Sequence, residues 1–117
     1  MMKHPHCIFC QIVEREEGAE IVYQDDEITA FRDINPQAPK HILIIPNRHI
    51  RSLAQIEAQD ALLLSRMLQV ANDLALKEGI ARRGYRLVIN CGPEAGQSVH
   101  HLHLHLLGGR PMRWPPG

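Results

Sequence analysis

The stretch "QSVHHLHLHLLGG" (residues 97–109) decides how this chain is read. Four of the chain's eight histidines fall in it, and three of them, His101, His103 and His105, alternate with leucine. Side chains along an extended backbone point to opposite sides in turn, so this alternation is the pattern of a strand with one buried face. Leu102, Leu104 and Leu106 are expected beneath a helix, with the histidines in a row on the opposite face, roughly 7 Å apart by strand rise.

Working outward, "YRLVIN" (85–90) reads as a further strand, joined to the histidine strand by the turn-rich "CGPEAGQ" (91–97). "HILIIP" (41–46) is a near-continuous run of β-branched residues and leucine, stopped by Pro46 and Asn47, and reads as a central buried strand. "AEIVYQ" (19–24) and "EITAFRD" (27–33) make a hairpin with Gln24, Asp25 and Asp26 in the turn. Ile8, Phe9, Ile12 and Val13 have helical spacing over a short segment that Gly18 ends. A long amphipathic helix is expected over 56–77 from Leu64, Met67, Leu68, Ala71, Leu74 and Ala75, with Gly79 as its C-terminal cap. The order is one short helix, three strands, one long helix and two strands: an α+β domain on an antiparallel sheet.

Composition narrows the function. A chain of 117 residues suits one domain, and 44% hydrophobic with 22% charged residues is ordinary for a globular protein. Formal net charge is zero, which argues against capture of long nucleic acid or a membrane surface, while a small nucleotide needs only local groups. No apolar run has the length of a membrane span and no signal peptide opens the chain. Three cysteines, two of them in Cys7-Ile8-Phe9-Cys10, argue against a disulfide scaffold and for a reducing, cytoplasmic setting.

Three neighbouring imidazoles on one face cannot all be charged cheaply. Hydrogen bonds, a metal or a bound anion must hold the row mostly neutral. Two chemistries compete for it: a catalytic zinc with an open position, or nucleophilic attack by a neutral imidazole on phosphorus. The preceding loop, with Gly92, Gly96, Gln97 and Ser98, can bring backbone N–H groups and a hydroxyl to an anion, which favours a phosphate site. The cysteine pair by itself is ambiguous among zinc, redox and chance, although no βαβ pattern surrounds it as a thioredoxin-type motif would need.

"HLHLHLL" (101–107) fits His-φ-His-φ-His-φ-φ, with φ apolar, and resembles the signature of the histidine triad (HIT) superfamily. "AFRDINPQAPKHILIIPNRHI", "YRLVINCG", "GGRPM" and the closing "WPPG" resemble its Hint branch of nucleotide-binding phosphoramidate hydrolases. The resemblance implies a five-stranded antiparallel sheet with one long and one short helix, pairing into a two-fold dimer. It implies one HIT domain over 1–117, with a flexible start at 1–6 and an extended tail at 110–117.

The implied activity is cleavage of the P–N bond of purine nucleoside 5′-phosphoramidates, adenosine phosphoramidate giving AMP and an amine through a nucleotidyl-histidine. In that reading His103 is the nucleophile, Ser98 relays a proton to the departing amine, and His101 and His105 complete the catalytic row. Asn90, Gly96, Gln97, Ser98 and His105 match phosphate contacts, and Asp33 with Ile34 the ribose contacts. Ile8, Phe9, Ile12 and Phe31 would wall the purine slot. His41 stands beside the triad, and Trp114 in the tail lines the leaving-group side of a partner subunit's site. Cys7, Cys10, His49 and His101 match a structural zinc set that would pin the N-terminal segment and do no chemistry.

Relatives often have an aromatic residue where His100 stands, and it is expected to face away from the triad. His4 and His6 are expected in a disordered start, Cys91 as a small packed residue, and Arg32, Arg82 and Arg83 on solvated faces. Two other readings stay open: a nucleotide-binding regulatory protein with incidental turnover, and a dinucleoside polyphosphate hydrolase.

Overall fold

Five strands are present in the computed structural model, which describes residues 4–117: β1 (Ile21–Gln24), β2 (Ile28–Arg32), β3 (Lys40–Pro46), β4 (Tyr85–Val88) and β5 (Leu104–Gly108). All neighbours pair antiparallel, in the order β1-β2-β3-β5-β4. A short helix α1 (Ile8–Val13) precedes the sheet and a long one, α2 (Ala61–Lys77), lies between β3 and β4. The expected order and fold class are those observed. Residues 1–3 of the expected flexible start lie outside the described residues.

The central strand explains its own sequence. Ile42 and Ile44 of β3 pack toward α2 with Met67, Val70, Ala71 and Leu74, while Leu43 and Ile45 pack on the other face with Phe9, Ile12 and Phe31. Both faces are covered, so the strand reads as a continuous apolar run rather than an alternating one. β5 beside it has one face in this core: Leu102, Leu104 and Leu106 join the cluster under α2, as the alternation predicts.

Three boundaries differ from expectation. The long helix begins at Ala61 because residues 53–55 and 58–60 form two separate 3-10 turns. Ser52 caps the first, and a reciprocal capping box between Glu57 and Asp60 fixes the second, with Asp60 also paired to Arg48. The buried face of α2 runs Met67, Val70, Ala71, Leu74 and Ala75, so Val70 takes the core place expected of Leu68, which is 47% exposed. β4 ends at Val88 and β5 starts only at Leu104. Ahead of β5, the Leu102 N–H leaves the sheet ladder and donates to the Ile50 carbonyl at 2.7 Å.

Two single-residue expectations are also corrected. Arg32 is no free surface charge: its guanidinium donates to both carboxylate oxygens of Glu78 and to Glu20, which raises its pKa further. Cys91 is exposed rather than packed.

Candidate active site

The histidine row is anchored at its base by β5, where His105 lies opposite Leu43 of β3 and Val88 of β4. His101 and His103, both buried, continue the row in the extended segment before the strand. Each ring meets a different environment, and main-chain groups assign the protons.

His103 donates from Nδ1 to the carbonyl of His101 at 2.7 Å. That bond holds the hydrogen on Nδ1 and leaves the Nε2 lone pair free. The ring is held edge-on by Phe9, centroids 5.1 Å apart, and by His105 at 5.0 Å.

The tautomer of His105 is set through a chain of contacts. The Gln37 backbone N–H donates to His41 Nδ1 at 3.0 Å, so the neutral His41 ring carries its hydrogen on Nε2. His41 Nε2 faces His105 Nδ1 at 2.9 Å and donates to it. His105 must then carry its hydrogen on Nε2, the buried nitrogen without a partner among the described residues. An unpaired buried donor beside a bare imidazole nitrogen is a place for an anion's oxygen.

Electrostatics keep this pair neutral. Burial pushes His105 down to about 4, with the neighbouring His103 and His41 acting in the same direction against Asp33. Burial also lowers His41, opposed by the Asp33 carboxylate, whose Oδ2 lies 3.5 Å from His41 Nε2. Asp33 Oδ1 accepts from the Asn35 N–H, which fixes the carboxylate at the turn after β2.

The first histidine belongs to a different constellation. His101 donates from Nε2 to the Pro46 carbonyl at 2.8 Å and turns Nδ1 toward the cysteines, 3.3 Å from Cys7 Sγ and 3.5 Å from Cys10 Sγ. His49 Nδ1 lies 3.3 Å from Cys10 Sγ, and the four donor atoms are all within 4.8 Å of one another. Helix α1 makes this possible by placing two cysteines three residues apart on one face, with Cys7 as its N-cap.

The donor chemistry suits a tetrahedral ion. Burial and the neighbouring Cys7 push the Cys10 thiol up to about 12, and burial holds His101 down at about 4 and His49 below its usual value. Metal-free, the site holds a protonated Cys10 thiol and a neutral His101 whose Nδ1 is bare, so a cation that displaces the thiol proton fits it. A second cluster, Asp33, His41 and His105, also brings three donors within 4.8 Å, but His41 Nε2 and His105 Nδ1 are already bonded to each other and His41 Nδ1 to the Gln37 N–H.

Other expected residues lie around this centre in unequal states. Phe9, Ile12 and Phe31 form one apolar cluster on the histidine side of the sheet, while Ile8 is 42% and Ile34 92% exposed. Asn90 is half-buried after β4, and Gly96 adopts a left-handed conformation, φ 84°, at the end of a one-turn 3-10 segment. The Gln97 side chain turns inward: its amide accepts from the Gly92 N–H and donates to the Arg51 and Val99 carbonyls, so it braces the loop. Ser98 is exposed and lines an open cavity of about 560 Å³. Trp114 is 81% exposed in the tail.

Sequence reasoning missed the Gln37 amide and the Pro46 and His101 carbonyls. Main-chain groups leave no signature in residue identities.

Comparison with known proteins agrees with this geometry. The family described as "Scavenger mRNA decapping enzyme C-term binding" matches residues 6–113. The purine nucleoside phosphoramidase of Escherichia coli (strain K12) is 54% identical over 105 residues, 90% of this chain and 88% of that protein. The 14 kDa zinc-binding protein of Zea mays is 51% identical over 112 residues, 94% of this chain and 87% of that protein. The solved structure of a HIT family hydrolase from Legionella pneumophila superposes with a TM-score of 0.94 at 51% identity, covering 96% of this chain and all of that one. With its triad leading into β5, its fold and these matches in agreement, this chain belongs to the histidine triad family of hydrolases.

Proposed function

We propose that this chain hydrolyses the P–N bond of purine nucleoside 5′-phosphoramidates by covalent catalysis at His103. The observation that carries the reading is the pair of opposed tautomers: a bare Nε2 on His103 beside a bound-hydrogen Nε2 on His105. One is a nucleophile and the other an oxyanion donor, the two parts that displacement at phosphorus needs.

His103 Nε2 attacks the α-phosphorus. The P–N bond breaks as Ser98 passes a proton to the departing nitrogen and recovers one from solvent, releasing a neutral amine. The phosphoryl-imidazolium keeps its Nδ1 hydrogen on the His101 carbonyl. Water then attacks phosphorus and loses a proton to solvent, and the P–Nε2 electron pair returns to His103 with release of AMP. His105 Nε2–H, the loop around Gly96 and Asn90 bind the phosphate oxygens, and Asp33 accepts from the ribose hydroxyls. Ile34 packs beside Asp33 on the ribose, and Phe9, Ile12 and Phe31, with Ile8 at the rim, take the purine.

Zinc is the ion proposed for Cys7, Cys10, His49 and His101, where it would fix α1 to the sheet without entering the reaction. The active form is proposed as a homodimer. Its support is the exposure of Leu62, Leu68 and Leu76 along α2 and the position of β4 at the sheet edge. Among the described residues no helix is long and apolar enough to cross a membrane, and the free cysteines suit a cytoplasmic setting.

The test is AMP release from adenosine 5′-monophosphoramidate. Wild type is expected to turn over and His103→Ala to lose release below detection while still binding AMP. A folded wild type that binds AMP and releases none sinks the proposal.

A further inference from the structure

Helix α1 serves two sites with one turn of chain. Cys7 and Cys10, two of the four metal donors, bracket Ile8 and Phe9, and Phe9 with Ile12 belongs to the apolar cluster on the histidine side of the sheet. Phe9 and Cys10 are adjacent in the chain, so fixing the thiol fixes the backbone that carries the ring. That ring is buried, its centroid 5.4 Å from Phe31, 5.1 Å from His103 and 5.9 Å from His101.

Little else holds this end of the helix. α1 spans six residues and has no acidic residue in its first turn, and a helix that short is marginal by itself in water. Its last turn is tied to β1, where the Gln24 side-chain amide donates to the Val13 carbonyl at 3.0 Å. From the first turn, among the described residues, the polar side-chain contacts to the rest of the domain are those of the two cysteines. Cys7 Sγ lies 3.3 Å from His101 Nδ1, and Cys10 Sγ lies 3.5 Å from His101 Nδ1 and 3.3 Å from His49 Nδ1. Thiols are weak hydrogen-bonding groups, and the N-cap is a thiol as well, Cys7 Sγ accepting from the Cys10 N–H at 3.4 Å.

We infer that metal binding at Cys7, Cys10, His49 and His101 and purine binding against Ile8, Phe9 and Ile12 are linked through α1, so that zinc tightens nucleotide binding and the nucleotide tightens zinc. This rests on the proposed function, which assigns those three side chains to the purine. The physical reason is shared ordering. Each ligand needs the first turn of α1 in one place, and whichever binds first has already fixed it for the second. Linkage is reciprocal, so both affinities change by the same factor. The proposed phosphate and ribose groups, His105 on β5, Asp33 after β2 and the loop around Gly96, all lie off α1. A ligand that keeps the phosphate and ribose but lacks the base therefore escapes the linkage.

The experiment titrates AMP and ribose 5-phosphate into the full-length protein, zinc-loaded and metal-free, with binding followed by NMR. AMP is expected to bind about tenfold more tightly to the zinc-loaded form, within the usual span of coupling between two sites, and ribose 5-phosphate equally to both. Because metal removal can unfold the chain, the converse is measured on zinc-loaded protein. Saturating AMP is expected to raise the chelator concentration that strips half the zinc by the same factor, and saturating ribose 5-phosphate to leave it unchanged. An AMP affinity indifferent to zinc overturns the inference and leaves the proposed function standing, as does a protein that takes up no zinc. Equal shifts for AMP and ribose 5-phosphate also overturn it, since zinc would then act on the whole fold or through His101, whose carbonyl orients His103. Protein that binds neither ligand, with or without zinc, defeats the proposed function and the linkage with it.

Discussion

Replacing His41 with phenylalanine tests how the donor on His105 is set. The ring is nearly isosteric, so the buried site (6% exposed) stays filled, but two hydrogen bonds disappear: Gln37 N–H to Nδ1 and Nε2–H to His105 Nδ1. Their loss costs about 1–2 kcal/mol in stability at ~1 kcal/mol per neutral bond. The larger effect falls on catalysis. With nothing donating to His105 Nδ1, its hydrogen can sit on either nitrogen, and the donor toward the phosphate oxygen is present only part of the time. Full removal of an oxyanion donor costs roughly 10²–10³ in kcat, so partial loss predicts a fall of about 10- to 100-fold with KM less affected. The assay is steady-state AMP release from adenosine 5′-monophosphoramidate beside nitrogen-15 NMR of the His105 ring. A kcat within twofold of wild type, with His105 still carrying its hydrogen on Nε2, would refute the tautomer chain.

Further outcomes follow from other contacts. Cys10→Ser is expected to lose bound zinc, measured by elemental analysis, and to melt at lower temperature while keeping hydrolysis once folded. In metal-free protein, His101 and His105 are held at about 4 against an unfolded value of about 6.5, so the unfolded chain takes up protons first. Their contribution is complete above that unfolded value and is lost as pH falls through 6.5 toward 4, by up to ~3 kcal/mol for each, read as urea midpoints across that range. Gly108→Ala brings a Cβ to 2.5 Å from Ile80 Cδ1 and 3.1 Å from its Cβ, and is expected to cost about 1–3 kcal/mol by chemical denaturation. Gln97→Ala removes the brace between Gly92, Arg51 and Val99 and is expected to raise KM for AMP-derived substrates several-fold; an unchanged KM would show that the loop holds itself.

The strands were legible wherever side-chain period and burial coincide. β3 is apolar on both faces because both are covered, and the leucines of β5 alternate because only one is. The start of α2 was not legible, since Ile56 and the residues after it extend the helical period while the Glu57–Asp60 capping box ends one turn and opens the next. The strand at His101 was overextended for a related reason. Alternation specifies an extended backbone, but ladder bonds depend on what lies alongside, and at Leu102 that is the Ile50 carbonyl. Within the site, the Cys7, Cys10, His49 and His101 grouping and the neighbourhood of His41 and His105 were readable as residue types matching a family pattern. Which nitrogen of each ring carries its hydrogen was not, because peptide groups decide it.

That dependence on peptide groups has an evolutionary side. The acceptor that orients His103 is the carbonyl of its own second neighbour, and the donor that orients His41 is an amide N–H; every amino acid supplies the first and every one but proline the second. No side-chain replacement elsewhere can delete either bond outright. The chain can therefore drift at most positions, losing cysteines or exchanging surface charges, while the His103 ring keeps its orientation. Sequence diversity around an unvarying trio of histidines is what such an arrangement permits.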